Sequence, residues 1–470
     1  MSNYLAVDLG AESGRVILGK LENGKLSLEE LHRFPNQPVR LPTGLYWDSF
    51  RLFHEIVEGL AVAGRERKLR AEGIGVDTWG VDFGLLASDG GLIDCPRCYR
   101  DPHTDGVPEK LFEVVSKADV FARTGIQIMQ FNSLYQLYAA RLAHSVALRE
   151  AERLLFMPDL LNYWLTGVQR NEVTIASTSQ FYDPKTRRFA TDLLEKLGIP
   201  GRIVAELIEP GCALGGLLPR LAESTGLGSV PVYAVGTHDT ASAVAAVPAE
   251  GEDWCYISSG TWSLMGVETP QPVINEQSYN LNYTNEAGVA GRTRLLKNIA
   301  GMWLLQECRR AWAAEGERFG YEELMHMAEE SGPAKAIIDT DAFLQPGDMP
   351  ARIVEWCKAH SVEPPKTKGE FCRTILESLA HRYNKVLEGL ESLIGRKIRT
   401  IHIVGGGSRN VLLNQLAANV TGRTVIAGPV EATAAGNLLV QAIGAGELKD
   451  LDQAREIVRG SFEIAEFRPK

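Results

Sequence analysis

Glycine-punctuated apolar runs open the chain. "YLAVDLGAESGRVILGKLENGKLSLEELHRF" predicts a strand, a glycine-bearing turn, a second strand, a turn at "ENGK" and a third strand, an antiparallel meander. "AEGIGVDTWGVDFGLLASDGGLI" predicts strands on either side of Trp79–Gly80 and a tight turn at "SDGG". "FNSLYQLYAARLAH" and "LLFMPDLLNYWLTG" carry apolar residues at helical spacing. "VPVYAV" reads as a buried strand, Gly236 as the turn out of it, and "TASAVAAV" as a closely packing helix. After the polar break "PAEGEDW", "CYISSGTWSLMGVET" repeats strand, glycine turn, strand, with Gly260 answering Gly10. "IRTIHIVGGGSRNVLLNQLAANVTG" predicts strand, glycine loop and helix, and "EATAAGNLLVQAIGAG" a helix with a small-residue face. The repetition predicts a duplicated α/β architecture in two domains, 1–247 and 248–470, with a cleft between them.

A chain of 470 residues is too long for one compact unit, which agrees with two domains. The net charge of −10 argues against nucleic-acid or membrane-surface binding, since both demand basic patches. Small anionic ligands held by backbone amides stay open. No apolar run is long enough to span a bilayer. Seven cysteines, and an opening "NYLAVDLG" that reads as a core strand rather than a leader, predict a cytoplasmic protein with reduced thiols. "CPRC", Cys95 to Cys98, lacks a second pair at zinc spacing, and His103 does not complete a set.

Two nucleotide signatures fail. "GRVILGKL" has Walker A spacing to its lysine but places Leu21 where a metal-binding hydroxyl is required. "GGGS", Gly405 to Ser408, lacks the third glycine of a dinucleotide loop. The hairpins "DLGAESGR" and "SSGTWS" remain. Their glycines let backbone N–H groups approach phosphate oxygens, and Ser13, Arg15, Ser259 and Thr261 add donors, although each also reads as a plain turn. Asp8 ends an apolar strand, where a carboxylate is costly unless paired or bound to a cation. A Mg²⁺ on bound phosphates would supply that partner. Asp239, between an apolar strand and a run of small residues, reads either as a helix cap or as a base at a helix N-terminus.

The order of these segments is informative. "AVDLGAESGR", "VDTWGVDF", "GTHDTASAV", "SSGTWSLMG", "LKNIAGMWLLQE", "HIVGGGSRNVLLNQL" and "GPVEATAAGN" resemble, in sequence and spacing, the FGGY family of carbohydrate kinases over nearly the whole chain. The resemblance implies the two-domain fold of actin, hexokinase and the 70-kDa chaperones. It implies a sugar-binding, catalytic first domain and a nucleotide-binding second one, with ATP and Mg²⁺ as cofactors and a small ketose as partner. By the same resemblance Ala11, Glu12, Ser13, Gly14, Arg15, Thr261, Gln306 and Gly406 would contact ATP, with Asp8 near Mg²⁺. Gly80, His238, Asp239, Thr240 and Asn298 would contact the sugar, and Asp239 would be the catalytic base. Glu12 departs from the pattern, because a negative side chain facing ATP is unfavourable, so its backbone is the expected contact.

His238 and Asp239, as neighbours on a helix, are not expected to share a face or act as a relay, and the helix dipole is expected to keep Asp239 ionised. The implied activity is transfer of the γ-phosphoryl group of ATP to the 1-hydroxyl of L-rhamnulose, by a monomer or small homo-oligomer. L-Fuculose, L-ribulose and L-xylulose are the alternative substrates. A non-catalytic ATP-binding regulator of the same fold is the alternative of another class.

Overall fold

A computed structural model describes every residue except Pro346. The chain separates into two compact units. The first holds residues 1–246, 268–295 and 432–461; the second holds 247–267, 296–431 and 462–470. The cut expected after Val247 lies beside the first boundary, but two later segments return to the first unit. One of them carries the small-residue helix Ala432–Gly444.

The first unit is built on a six-stranded sheet in the order Ala213–Gly216, Pro231–Tyr233, Gly73–Thr78, Ser2–Leu9, Ser13–Glu22, Lys25–Pro35. Its last three strands are the meander read from the sequence, paired antiparallel with Val7 opposite Val16. On the other side Ser2–Leu9 runs parallel to Gly73–Thr78, which runs parallel to Pro231–Tyr233. Leu5, Val7 and Leu9 are fully buried, and so are Ala6, Ile74 and Val76, so these strands are covered on both faces. That explains their continuous rather than alternating apolar runs.

The helix Ala432–Gly444 supplies polar groups to this sheet. Asn437 Nδ2 donates to Asp77 at 2.6 Å and to the Gly75 carbonyl at 3.2 Å. Gln441 Nε2 donates to Asn437 Oδ1 at 2.6 Å and to the Leu5 carbonyl at 3.0 Å. Gly75 makes room, because a Cβ there would lie 2.5 Å from Asn437 Oδ1. The helix also crosses Asp239–Ala245 at close range: a Cβ on Gly436 would come 1.8 Å from the Ser242 carbonyl oxygen.

The second unit repeats the plan. Trp254–Ser259 pairs antiparallel with the strand Ser263–Thr269 and parallel with Thr400–Val404, which is parallel to Thr424–Ala427. Each unit therefore has a glycine-turn hairpin whose first strand is continued by two parallel neighbours, the duplication anticipated from Gly10 and Gly260. One expected helix is shorter than read. "LLF" lies in the strand Arg153–Phe156, and the helix runs only over Met157–Thr166, because Pro158 fits the first turn and not the interior. No helix among the described residues is long and apolar enough to cross a membrane.

Gly436→Ala should destabilise the protein by about 1–3 kcal/mol or more, since the new methyl meets backbone that cannot yield. Gly460→Ala, in the helix Leu451–Ser461 with nothing within 4 Å of the added atom, should be neutral or stabilising. Urea unfolding of both variants checks the pair; equal midpoints would mean that the helix crossing is looser than described.

Candidate active site

In open α/β sheets, ligands gather at the carboxyl ends of parallel strands. Both units place the sequence-derived candidates there. In the first unit Asp8 lies near the end of Ser2–Leu9 with the Gly10–Ser13 turn after it, Gly80 follows Gly73–Thr78, and His238, Asp239 and Thr240 follow Pro231–Tyr233. The turn closes by Gly10 N–H donating to the Ser13 carbonyl at 2.9 Å, and Asn36 bonds the Gly10 and Glu12 carbonyls from behind. Glu12 is exposed, and Ala11, Ser13 and Arg15 are partly so. Gly14 is buried, and a Cβ there would sit 2.3 Å from the Phe34 ring. Its Cα face is thus taken up by the Phe34 ring and Leu9.

Asp8 does not stand alone. Arg15 donates to it at 2.5 Å across the hairpin, where the two are register partners. On its other side Asp8 is opposite Asp77 in the parallel ladder. Burial, and then the charge of Asp8, push the Asp77 carboxyl well above its ordinary value, and its Oδ1 is buried without a hydrogen-bond donor. No cluster of three His, Cys, Asp or Glu among the described residues could hold a metal unaided. A Mg²⁺ arriving on a nucleotide keeps several waters and needs only one or two protein carboxylates. Asp8, backed by the donor-less oxygen of Asp77, fits that requirement.

Asp239 is the first residue of the helix Asp239–Ala245, and His238 is the N-cap, with extended backbone at φ −75° and ψ 118°. The helical rule that separates neighbouring side chains therefore does not govern this pair. His238 Nε2 lies 3.5 Å from Asp239 Oδ1, which corrects the expectation that the two do not meet. Nor is Asp239 a capping side chain for a distant N–H: its Oδ1 accepts from Thr240, from the backbone at 2.5 Å and the hydroxyl at 3.1 Å. Its side chain is 31% exposed. Burial raises the Asp239 pKa, His238 opposes the rise and Asp8 adds to it.

Behind His238 lie two residues that sequence reasoning missed. Arg294 NH2 is 3.1 Å from His238 Nδ1, and Glu286 Oε2 is 3.3 Å from the same nitrogen and 3.1 Å from Arg294 NH2. The only signal in the sequence was a pair of opposite charges on the two arms of an apolar hairpin, "NEAGVAGRTR". Glu172, also missed, anchors the loop itself. Its buried carboxylate accepts from Thr237 N–H at 3.2 Å and Thr237 Oγ1 at 2.6 Å. It also accepts from the N–H groups of Thr174 and Ile175 and from the Thr174 hydroxyl.

Gly80 sits where a Cβ would meet Thr178 at 3.3 Å and His238 Nε2 at 3.4 Å. The following turn is pinned by fully buried Asp82, which accepts from Trp47 Nε1 at 2.6 Å, Trp79 Nε1 at 3.0 Å, Gln136 Nε2 at 2.9 Å and Tyr99 N–H at 3.2 Å. Burial lifts its pKa to about 6 against those donors. Trp79 is thereby committed to packing against Trp47.

In the second unit Thr261 forms the hairpin turn, and the loop ahead of the helix Trp303–Ala314 closes on it. Met302 and Trp303 N–H groups donate to the Gly260 and Thr261 carbonyls. Gln306 Nε2 donates to Thr261 Oγ1 at 3.3 Å, so two expected nucleotide contacts adjoin, while Gln306 Oε1 has no hydrogen-bond partner. Asn298, partly exposed near the end of Thr293–Ile299, belongs to this unit. In "GGG" the three glycines differ. Gly407 rests on Ser259, whose Oγ would lie 2.0 Å from an added Cβ, and Gly405 has φ +82°. Gly406 faces open space. The first and third glycines build the loop and the middle one presents its surface.

Family models describe residues 3–246 as the N-terminal domain and residues 255–445 as the C-terminal domain of the FGGY family of carbohydrate kinases. The chain is 47% identical over 470 residues to the rhamnulokinase of Bacteroides thetaiotaomicron, covering all of this chain and 96% of that one. It is 40% identical to the rhamnulokinase of Bacillus subtilis, covering 99% and 95%. Among solved structures it resembles ligand-bound xylulose kinase from Lactobacillus acidophilus, with TM-score 0.82, 15% identity and coverage of 100% and 94%. Plasmodium falciparum glycerol kinase with ADP gives TM-score 0.80 at 13% identity, with the same coverage. The expected two-domain kinase fold is thus present. With both family models matched and full-length relatives this similar, the chain belongs to the FGGY family of carbohydrate kinases.

Proposed function

We propose that the protein transfers the γ-phosphoryl group of ATP to the 1-hydroxyl of L-rhamnulose, giving L-rhamnulose 1-phosphate. The observation that carries this reading is Asp239: a partly exposed carboxylate of raised proton affinity at the carboxyl end of a parallel strand, in a chain aligned throughout its length with rhamnulokinases. A regulator that only bound ATP would have no use for such a group. In this reading the sugar is bound through Gly80, His238, Asp239, Thr240 and Asn298. The second unit takes the nucleotide through Thr261, Gln306 and the open face of Gly406. The turn 11–15 receives phosphate oxygens on its backbone and on Ser13 and Arg15, and Glu12 contributes backbone only.

Phosphoryl transfer passes through a loose transition state, so positioning and charge neutralisation dominate over covalent help. Asp239 accepts the proton of the attacking hydroxyl, while Arg15 and the turn offset the charge of the phosphates. Asp8 would hold Mg²⁺, which when bound supplies further neutralisation of those phosphates. We propose a cytoplasmic location, where ATP is supplied, and a monomer or small homo-oligomer. Purified protein assayed for ADP release against L-rhamnulose, L-fuculose, L-ribulose and L-xylulose tests the substrate. One methyl group is worth only ~1–3 kcal/mol, so some crossover is expected, with L-rhamnulose first in kcat/KM. A different ketose in first place would reassign the substrate, and no ketose-dependent ADP release would remove the activity.

Asp239→Asn should lower kcat by ~10²–10⁴-fold while leaving the sugar KM within a few-fold. The melting temperature should hardly change, because Asn retains an acceptor for the Thr240 N–H. In the unsubstituted enzyme kcat should rise with pH as Asp239 loses its proton. The raised pKa puts that limb above the range of an exposed carboxylate. Retained turnover in the variant would confine Asp239 to local structure.

Asp8→Asn should reduce turnover most at limiting Mg²⁺ and leave sugar binding intact. A titration of rate against Mg²⁺ that superimposes on that of the unsubstituted enzyme would take Asp8 out of the metal site.

A further inference from the structure

His238 is held from behind by a buried ion pair that nothing in the proposed chemistry requires. Arg294 is fully buried, and the Glu286 side chain is 6% exposed. Each would be costly alone, and each is the other's counter-charge. Burial opposes ionisation of Glu286, but Arg294 leads the groups that outweigh it and hold the carboxyl below its ordinary value. Arg294 Nε is tied to the Ala287 carbonyl at 3.0 Å, and Ala287 N–H donates to Ser177 Oγ at 2.8 Å, so the guanidinium cannot swing.

We propose that Arg294, backed by Glu286, is a positioning residue that fixes the ring tautomer of His238, leaving its proton on Nε2 to serve as a hydrogen-bond donor to the sugar. The inference rests on the kinase reading of the site. A guanidinium has donors only, so its 3.1 Å contact makes Nδ1 an acceptor and sends the ring proton to Nε2. Glu286 Oε2, at 3.3 Å, would favour the opposite tautomer, but it makes no aligned hydrogen bond. Its role is to balance Arg294.

The Nε2 side is where room exists. Gly80 has no side chain to crowd it, and Asp239 Oδ1 stands 3.5 Å away. With its proton on Nε2, His238 donates to a sugar oxygen next to the hydroxyl that Asp239 deprotonates. With the proton on Nδ1, a second acceptor would face that hydroxyl and compete with Asp239 for its hydrogen.

Two-bond ¹H–¹⁵N correlation spectra of protein labelled at histidine, with the His238 signals assigned from their loss in His238→Asn, read the tautomer directly. The expected result is a protonated Nε2 and a bare Nδ1. A proton on Nδ1 overturns the proposal without any variant having to fold.

The charge-balanced double variant Arg294→Met with Glu286→Leu supplies the functional arm. It should lose the single-tautomer signature and raise the sugar KM about tenfold, the effect of one misdirected hydrogen bond, with the ATP KM unchanged. Unchanged sugar KM in a folded double variant, or equal rises in both KM values, would also overturn it. An unsubstituted enzyme with no ketose-dependent turnover sinks the kinase reading instead, and the spectra still decide the tautomer.

Discussion

The carboxylate of Glu172 is the constraint on which the first unit's site depends. It is fully buried and receives five hydrogen bonds, two of them from Thr237, the residue that leads into His238 and Asp239. Burial raises its pKa and the surrounding donors lower it, and the balance leaves it above the ordinary value. A charge kept there must have every donor in place, so the segment cannot relax without losing several bonds together. The same short stretch reaches two other parts of the site. Thr178 Oγ1 accepts from Val81 N–H at 3.1 Å beside Gly80, and Ser177 Oγ holds the strand that carries Glu286. Three chain segments distant in sequence are thereby set against one residue cluster, 172–178.

This arrangement separates the roles of buried and accessible carboxylates. Glu172 and Asp82 are surrounded by donors and do structural work, one fixing the 237–240 loop and the other the turn after Gly80. Asp8, Asp77 and Asp239 are less well served. Asp8 and Asp239 both add to the charge felt by Asp77, and Asp8 raises the pKa of Asp239. Arg15 is the cation bonded to Asp8, and Asn437 the donor bonded to Asp77. Self-repulsion of this kind favours the arrival of a cation or of protons.

Much of this was legible in the sequence, for identifiable reasons. Both hairpins announce themselves through apolar runs around a glycine, and the 2–35 meander follows from turn chemistry alone. The sequence pattern of "DLGAESGR" even contains the Asp8–Arg15 pair, since the two lie symmetrically about the turn, yet Asp8 read as a carboxylate in need of a metal. The helix Ala432–Gly444 could not be placed. Its small residues say that it packs closely, but only Asn437 and Gln441 show against what, and their partners are about 360 and 436 residues away. The His238–Asp239 contact is hidden in the sequence because His238 precedes the helix, where helical spacing does not separate neighbours. Glu286 and Arg294 leave only the signal of opposite charges on a hairpin, because a charge in a strand looks the same whether it faces water or a buried partner.

The raised proton affinity of Asp239 has a consequence for how the site works. A general base gains strength as its pKa rises, and loses occupancy of the ionised form once that pKa passes the working pH. Burial and Asp8 push Asp239 along this scale, and His238 restrains it. Charge brought to Asp8 acts in the same direction: whatever neutralises Asp8 removes a term that raises Asp239. Neutralising the charge of Asp8 would therefore lower the proton affinity of Asp239. That effect needs no moving part, only the Coulomb interaction between a carboxylate near the end of one strand and another at the start of the helix Asp239–Ala245.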